Sequence, residues 1–212
     1  MNDRLFSELL ERYPALAVCR EDILKARDMM LDTARLGGKI LACGNGGSSA
    51  DADHIVGELM KGFLLKRKMS AQAEADFAAA LGDEAKYFTE NLQGAIPAIS
   101  LSAQTAISSA FINDVKPDLI YAQMVYGYAR KGDLLICIST SGNSKNVVNA
   151  AKCALAMGIP TVALTGERDS LLSEICDCTI KAPEFETFKI QELHLPIYHY
   201  LCAAVEAAIF GE

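Results

Sequence analysis

The sequence predicts an α/β protein with a three-layer, doubly wound and mostly parallel sheet, preceded by N-terminal helices. Short apolar segments typical of buried strands alternate along the chain with longer segments of helical periodicity. Parallel strands are covered on both faces, so helices are expected on either side of the sheet. The strand candidates lie near residues 40–43, 95–101, 134–138, 161–165 and 177–181.

The composition is that of a globular protein and excludes several classes of function. The chain has 212 residues, 51% of them hydrophobic, and a net charge of −7. These values predict one folded domain rather than a disordered chain. The acidic balance, without a basic stripe, argues against a nucleic-acid partner. Seven scattered cysteines suggest reduced thiols in the cytoplasm, and we expect no membrane span because no apolar run approaches about 18 residues.

Two helical regions are expected besides the helices of the sheet: one before the sheet domain, which spans residues 37–212, and one inserted within it. Residues 1–36 predict two helices interrupted at Pro14. Their apolar face has no obvious local partner, so we expect it to form part of an oligomer core. Residues 70–94 predict a helical insertion that breaks near Gly82.

The remaining connections are predicted from periodicity and local composition. The basic run 66–68 is best interpreted as a solvated helix end that complements the helix dipole. The segment that ends at Asn113 and Asp114 is interpreted, in isolation, as a loop. Further helices are predicted over 118–130, 145–157, 169–175 and 185–210.

A glycine-rich turn follows the first strand. The turn Gly44–Gly47 can adopt positive φ, and Ser48 or Ser49 is expected to cap the helix that follows. A strand, a glycine turn and a helix start together form an anion site from backbone N–H groups. His54 and Glu58 are four residues apart on one helical face, as a metal or acid–base pair would be. The alternatives are a tight connection and a histidine satisfied as an ordinary polar group.

A second polar turn follows the strand at 134–138. Ser139, Thr140, Ser141 and Ser144 surround Gly142, and hydroxyl and N–H groups at a helix start can hold a phosphate. The alternative is plain N-capping, which requires one hydroxyl rather than four. The chain has neither a Gly-Lys-Ser/Thr nucleotide loop nor a Gly-x-Gly-x-x-Gly dinucleotide loop.

The last predicted helix carries a polar cluster in an apolar setting. Gln191, His194 and His199 lie there, and the alternative to a functional role is satisfaction by neighbours at a subunit contact. In a straight helix Gln191 and His199 lie about 12 Å apart, which is far for two ligands of one ion. Either the helix bends, with Pro196 as the expected kink, or long side chains converge, or only one of them binds metal.

Three motifs in this order resemble the sugar-isomerase (SIS) domain family and, within it, the phosphoheptose isomerases. They are Cys-Gly-Asn-Gly-Gly-Ser-Ser-Ala-Asp-Ala-Asp-His (43–54), Ile-Ser-Thr-Ser-Gly-Asn-Ser-Lys-Asn (138–146) and Gln-Glu-x-His-x4-His (191–199). The resemblance covers roughly residues 35–212. It implies the SIS fold, a homotetramer with active sites between subunits, and zinc-dependent isomerisation of sedoheptulose 7-phosphate to D-glycero-D-manno-heptose 7-phosphate.

The resemblance also implies roles for particular residues. Glu58 would be the general base and His199 the general acid. The implied zinc ligands are His54, Glu58, Gln191 and His199. The implied substrate contacts are Asn45, Gly46, Gly47, Glu58, Asn113, Asp114, Ser139, Thr140, Ser141, Ser144 and Gln191.

Three departures from the family pattern leave alternatives open. Ser49 stands where the family usually has histidine, residues 70–94 are longer than is typical of the family, and Pro196 is unexpected within the last helix. The alternatives are an isomerase of another sugar phosphate and a non-catalytic SIS protein that senses a sugar phosphate or associates with the replication initiator DnaA. The presence of both Glu58 and His199 favours an enzyme.

Overall fold

A computed structural model describes residues 4–211 and contains one parallel sheet of five strands. The strands are β1 (Ile40–Gly44), β2 (Ala98–Ser100), β3 (Leu134–Ile138), β4 (Thr161–Gly166) and β5 (Cys178–Ala182). Their order across the sheet is β2-β1-β3-β4-β5. From β1 the chain first adds β2 on one side and then adds β3, β4 and β5 on the opposite side of β1. This reversal creates a topological switch point between β1 and β3. Ligands of such sheets bind beyond the carboxyl ends of the strands at this point.

Ten α-helices within residues 4–211 surround the sheet. They are α1 (Arg4–Arg12), α2 (Arg20–Arg35), α3 (Gly47–Met60), α4 (Ala71–Leu81), α5 (Ala85–Asn91), α6 (Thr105–Asp114), α7 (Ile120–Tyr128), α8 (Lys145–Met157), α9 (Leu171–Ile175) and α10 (Thr187–Phe210). Short 3₁₀ turns occupy Pro14–Cys19, Gly82–Glu84 and Pro117–Leu119. The doubly wound α/β prediction is confirmed.

The sheet separates two apolar cores. Successive strand residues point to opposite faces, so Leu134 and Ile136 pack on one side and Leu135 and Cys137 on the other. The first core includes α1, α2, α3 and α10, and the second includes α7 and α8. All seven cysteines are free, and five of them are buried as small apolar groups.

The N-terminal helices find a partner in their own chain. Phe6, Leu9, Ile23 and Met30 are buried in the first core, where α1 and α2 pack against α10. These residues are therefore covered within the chain, and the expected part of these helices in an oligomer core stays a prediction. This partner could not be predicted from the local sequence, because α10 lies more than 150 residues further along the chain.

Helix α10 is long and apolar enough to cross a membrane by length and composition, which differs from the sequence expectation. Most of its apolar segment is buried inside the protein, against α2, α3 and the sheet. It therefore serves as the central helix of the first core. Pro196 lies buried within this uninterrupted helix.

Two local predictions were wrong. The segment before Asp114 is helical, as α6, rather than a loop. Arg67 is buried rather than solvated: its guanidinium pairs with the buried Glu206 at 2.7 Å and donates to the carbonyls of Glu58 and Leu59 at the end of α3. The cation does complement a helix terminus, but from inside the protein, because a distant carboxylate compensates its charge.

The predicted helices at 70–94 form a hairpin beside the sheet. Helix α4 has no buried residue, and in α5 only Ala85 is buried. Phe77 and Phe88 pack on each other across the hairpin, with ring centroids 5.8 Å apart. Tyr87 and Leu92 are exposed. The hairpin contributes little to either core.

Candidate active site

The loop Gly44–Gly47, here the glycine loop, connects β1 to α3 at the switch point. Gly46 has φ +56° and is the N-cap of α3, which begins at Gly47. The prediction that Ser48 or Ser49 caps this helix was wrong, because the N-cap is Gly46, two residues before Ser48, and the Ser48 amide donates to the carbonyl of Asn45. The early helix start places the N-terminus of α3 directly after the carboxyl end of β1, and the amides of Ser48, Ser49 and Ala50 donate to the carbonyls of Asn45 and Gly46.

The glycine loop is held from behind by a buried tyrosine. The hydroxyl of Tyr121 donates to the carbonyl of Gly44 at 2.6 Å and also contacts the Asn45 side chain at 3.3 Å. Ser102, which follows β2, both donates to the Gly44 carbonyl and accepts from its amide. Neither Tyr121 nor Ser102 could be predicted from local sequence, because both act through the backbone of a distant loop.

Gln191, at the start of α10, lies against the glycine loop. A Cβ added at Gly47 would come within 2.5 Å of the Gln191 side-chain nitrogen. Glycine at this position is therefore what allows the amide side chain of α10 to approach the start of α3. The contact explains why a second glycine follows Gly46.

The segment Ser139–Ser144, here the serine loop, follows β3. Gly142 has φ +64°, and a Cβ there would overlap Ser170. The Ser139 hydroxyl donates to Ser144 Oγ at 3.0 Å, and Ser141 Oγ accepts from the Asn143 amide. Ser144 is the N-cap of α8 but makes no side-chain capping hydrogen bond. Plain N-capping therefore does not account for the hydroxyls.

A cavity of about 210 Å³ lies beside the serine loop. Thr140 and Ser141 line it on one side, and Thr187 and Ile190 from the start of α10 line it on the other. Arg168, in the loop after β4, also lines the cavity and was not predicted as a site residue. Its position just after the carboxyl end of a strand could have indicated it. Three acidic residues complete the charged lining: Glu167, Asp169 and Glu184.

The two loops meet at the switch point. Gly44 and Ile138, the last residues of β1 and β3, are paired in the sheet. The side chains of Asn45 and Asn146 exchange hydrogen bonds of 2.8 and 2.9 Å between the glycine loop and the first turn of α8. The predicted substrate contacts from the two loops are therefore neighbours.

His54, Glu58 and His199, here the histidine cluster, come together from α3 and α10. His54 Nε2 lies 3.1 Å from Glu58 Oε1 and 3.4 Å from His199 Nε2. The His54 and His199 rings pack edge to face, and Phe63 packs against His199. Burial and the neighbouring His54 lower the pKa of His199, while the Glu58 charge opposes this shift. His199 also borders an open groove of about 370 Å³ between α1 and α10.

Helices α3 and α10 run side by side in the same direction. Gln191 lies against Gly47 at one end, His199 contacts His54 in the middle, and Glu206 binds the Phe63 amide beyond the other end. Gln191 and His199 therefore lie about two turns apart along one continuous helix. From Gly47 to Glu58 is about 16 Å at about 1.5 Å per residue. Within one chain, the two loops therefore lie near the N-terminal ends of α3 and α10, and the histidine cluster lies further along these helices.

The structure does not bring Asn113 and Asp114 to the loops. They lie exposed at the end of α6, where the Asn113 amide donates to the Asp114 carboxylate at 2.8 Å. Within residues 4–211 they have no hydrogen bond to the glycine loop or the serine loop. Their predicted substrate contact stays a prediction.

His194 has a structural role. It is fully buried, its Nε2 lies 3.1 Å from the carbonyl of Thr165, and burial lowers its pKa to about 4. Neutral at physiological pH, it ties α10 to β4. It corresponds to the alternative in which a histidine of this helix is satisfied by its neighbours.

The residues of the histidine cluster fit a zinc ion by donor chemistry. Imidazole nitrogen and carboxylate oxygen are common zinc ligands. Within the described chain, no three His, Cys, Asp or Glu side chains already stand in ligating geometry. His54 nevertheless contacts both Glu58 and His199, whereas Gln191 lies further along α10. The four-residue ligand set stays a prediction.

The family comparisons agree with this architecture. Models of the SIS domain match residues 8–93 and 99–205. Together they cover most of the chain, including both loops and the histidine cluster. The fold and its two loops at the switch point are those of a SIS-domain protein.

Comparison with individual proteins narrows the class. The chain is 34% identical over 203 residues to a phosphoheptose isomerase of Akkermansia muciniphila, covering 96% of this chain and 94% of that protein. It is 33% identical to one of Aliarcobacter butzleri, with 97% of each covered. A solved structure of phosphoheptose isomerase GmhA from Neisseria gonorrhoeae superposes with a TM-score of 0.73 at 29% identity, covering 95% of each chain. The chain belongs to the phosphoheptose isomerase family, which confirms the resemblance inferred from its motifs.

Proposed function

We propose that this protein is an aldose–ketose isomerase that converts sedoheptulose 7-phosphate to D-glycero-D-manno-heptose 7-phosphate. The observation that carries the proposal is the meeting of Glu58 with His54 and His199 on two adjacent helices. A carboxylate and a histidine at one place are what proton transfer between neighbouring carbons requires. Membership in the phosphoheptose isomerase family supports the identity of the substrate.

The proposed reaction moves one proton between C1 and C2 of the sugar. Glu58 removes the proton from C1 of the ketose, which gives an enediolate, and returns it to C2. His199 supplies a proton to the oxygen that carries the developing charge and accepts one from the other oxygen. Burial and the neighbouring His54 lower the pKa of His199, which favours its neutral form over the imidazolium.

We propose that His54, Glu58, Gln191 and His199 hold a zinc ion. When bound, it would act as a Lewis acid toward the carbonyl oxygen of the sugar. A carboxylate bound to metal is a weaker base, so Glu58 performs both roles only if it is loosely held. The apposed Nε2 atoms of His54 and His199 support a shared cation in this place.

The serine loop is proposed to bind the phosphate. Its hydroxyls and the N-terminal amides of α8 face a dianion favourably. The distance along α3 between the loops and Glu58 suits a long sugar better than a triose. We also propose a homotetramer with active sites between subunits, in which the open groove beside His199 would face another copy of the chain. The free cysteines support a reducing compartment such as the cytoplasm.

The test is an activity panel on the purified protein, with and without a metal chelator. The panel contains sedoheptulose 7-phosphate together with shorter and epimeric ketose phosphates. We expect aldose formation from the heptulose, loss of activity on chelation, and recovery when zinc is returned. Turnover of a different ketose phosphate, and not of the heptulose, would show that the substrate is that other sugar. Binding without turnover of any sugar, in the zinc-loaded protein, would contradict an enzymatic role.

A further inference from the structure

Tyr198 contacts His54 on the side of the ring away from Glu58, and Asp51 contacts Tyr198; both residues lie outside the predicted site. Tyr198 is 2% exposed, and its hydroxyl lies 3.1 Å from His54 Nδ1 and 3.2 Å from Asp51 Oδ1. The Tyr198 and His54 rings pack edge to face with centroids 5.4 Å apart. The hydroxyl therefore lies between a carboxylate and the ring nitrogen that faces away from Glu58.

The direction of these hydrogen bonds follows from counting donors. A tyrosine hydroxyl has one proton to donate and stays protonated near neutral pH. Asp51 Oδ2 is buried without a partner, so the Tyr198 hydroxyl is the one donor that the described residues offer this side chain. If Tyr198 donated to His54 instead, a buried carboxylate would have no hydrogen bond, which is costly.

We propose that Asp51 and Tyr198 form a relay that fixes the tautomer of His54. Asp51 accepts a hydrogen bond from the Tyr198 hydroxyl, and the tyrosine oxygen accepts a hydrogen bond from His54 Nδ1–H. His54 Nε2 then presents its lone pair to Glu58 and His199. Asp51 and Tyr198 are positioning residues, since they act through His54 rather than on the sugar.

The relay has a specific consequence for metal binding. A histidine ligand is oriented by the hydrogen bond that its other ring nitrogen makes. Without the relay, Glu58 would attract a proton to His54 Nε2, because a carboxylate only accepts hydrogen bonds. A metal ion would then have to displace that proton. This consequence rests on the proposed zinc site, whereas the tautomer itself does not.

The tautomer can be measured directly in metal-free protein. The chain has three histidines, and His194 provides an internal reference because its Nε2 faces the Thr165 carbonyl. We expect long-range ¹H–¹⁵N spectra near about pH 8.5, where ordinary histidines are neutral, to show His54 protonated on Nδ1 and His194 on Nε2. Protonation of wild-type His54 on Nε2 would overturn the proposal.

Two variants break the relay at different atoms. Tyr198→Phe removes the hydroxyl, and Asp51→Asn supplies an amide that can donate to the tyrosine oxygen and release its proton toward His54. Both are expected to shift His54 toward the Nε2–H tautomer. The matched control is Tyr200→Phe, which removes another buried tyrosine hydroxyl from the same helix, one that contacts Arg27 instead. If Tyr198→Phe does not fold, Asp51→Asn carries the test alone.

Zinc affinity gives a second measurement that does not depend on turnover. In competition with a chromophoric chelator, Tyr198→Phe is expected to bind zinc about 10- to 100-fold more weakly than wild type, and Tyr200→Phe to match wild type. Unchanged tautomer and affinity in both relay variants would refute the relay. If the tautomer shifts as expected but no ketose phosphate is isomerised, the proposed function fails and the relay stands.

Discussion

The serine loop and the histidine cluster are built in opposite ways. Ser139–Ser144 are consecutive residues whose hydroxyls contact one another around Gly142. The histidine cluster joins α3 to α10, and its contacting histidines are 145 positions apart. The loop needs only the end of one strand, whereas the cluster needs two helices packed in register.

This difference in construction matches a difference in the proposed roles: the serine loop binds the phosphate, and the histidine cluster transfers protons. A phosphate is recognised by many weak, nearly equivalent donors, and a local loop can provide them. Proton transfer needs a few groups at set distances, so it depends on the packing of whole helices. Substitutions in the loop should therefore change KM, and substitutions in or behind the cluster should change kcat or stability.

The largest effect is expected for Glu58→Gln. The amide keeps the shape of the side chain but cannot accept the proton from C1, so kcat should fall by about 10²- to 10⁴-fold. Substrate binding, measured by calorimetry, should persist. Glu74→Gln on the exposed helix α4 is the control and should behave as wild type. Full activity of Glu58→Gln would place the base elsewhere.

A large loss of stability is expected for Glu206→Gln. Glu206 accepts from the amides of Phe63 and Leu64 and pairs with the buried Arg67, whose loss of partner should cost about 3–5 kcal/mol. Chemical denaturation measures this, with Lys66→Gln as an exposed control. A decrease of less than about 1 kcal/mol in the free energy of unfolding would show that the Arg67–Glu206 pair is not needed for stability.

The pH dependence of this pair has a definite sign. Burial opposes the charge of Glu206, but the amide hydrogen bonds and Arg67 outweigh it and lower its pKa. Its contribution to stability is present above the pKa of the unfolded glutamate and is lost as pH falls through the lower folded value. This contribution is absent in Glu206→Gln. The free energy of unfolding should therefore fall less on acidification in this variant than in wild type.

A smaller effect is expected for Ser141→Ala. Loss of one hydrogen bond to a charged phosphate should raise KM about tenfold with little change in kcat. Steady-state kinetics on the heptulose phosphate measure this, and Ser109→Ala on α6 is the control. If KM stays unchanged, the Ser141 hydroxyl is not a phosphate ligand. If kcat falls instead, the division between binding loop and chemical cluster does not hold.

Much of the fold and part of the candidate site could be read from the sequence. Apolar runs and helical periodicity predicted all five strands, and helix α8 was predicted with its observed bounds. The glycine and serine loops were recognisable because each follows a strand with residues suited to anion binding. The kinship with phosphoheptose isomerases followed from the same short motifs.

Other features were decided only by the tertiary structure, because they join residues that are far apart in the chain. Arg67 lies in a basic run, and its buried state becomes visible only when Glu206 is placed beside it. The partner of α1 and α2, the spacing of Gln191 from His199, and the Tyr198 hydroxyl behind His54 depend on where α10 packs. Local pattern specifies which segments form strands, helices and binding turns, whereas packing between distant helices decides which side chains share a site.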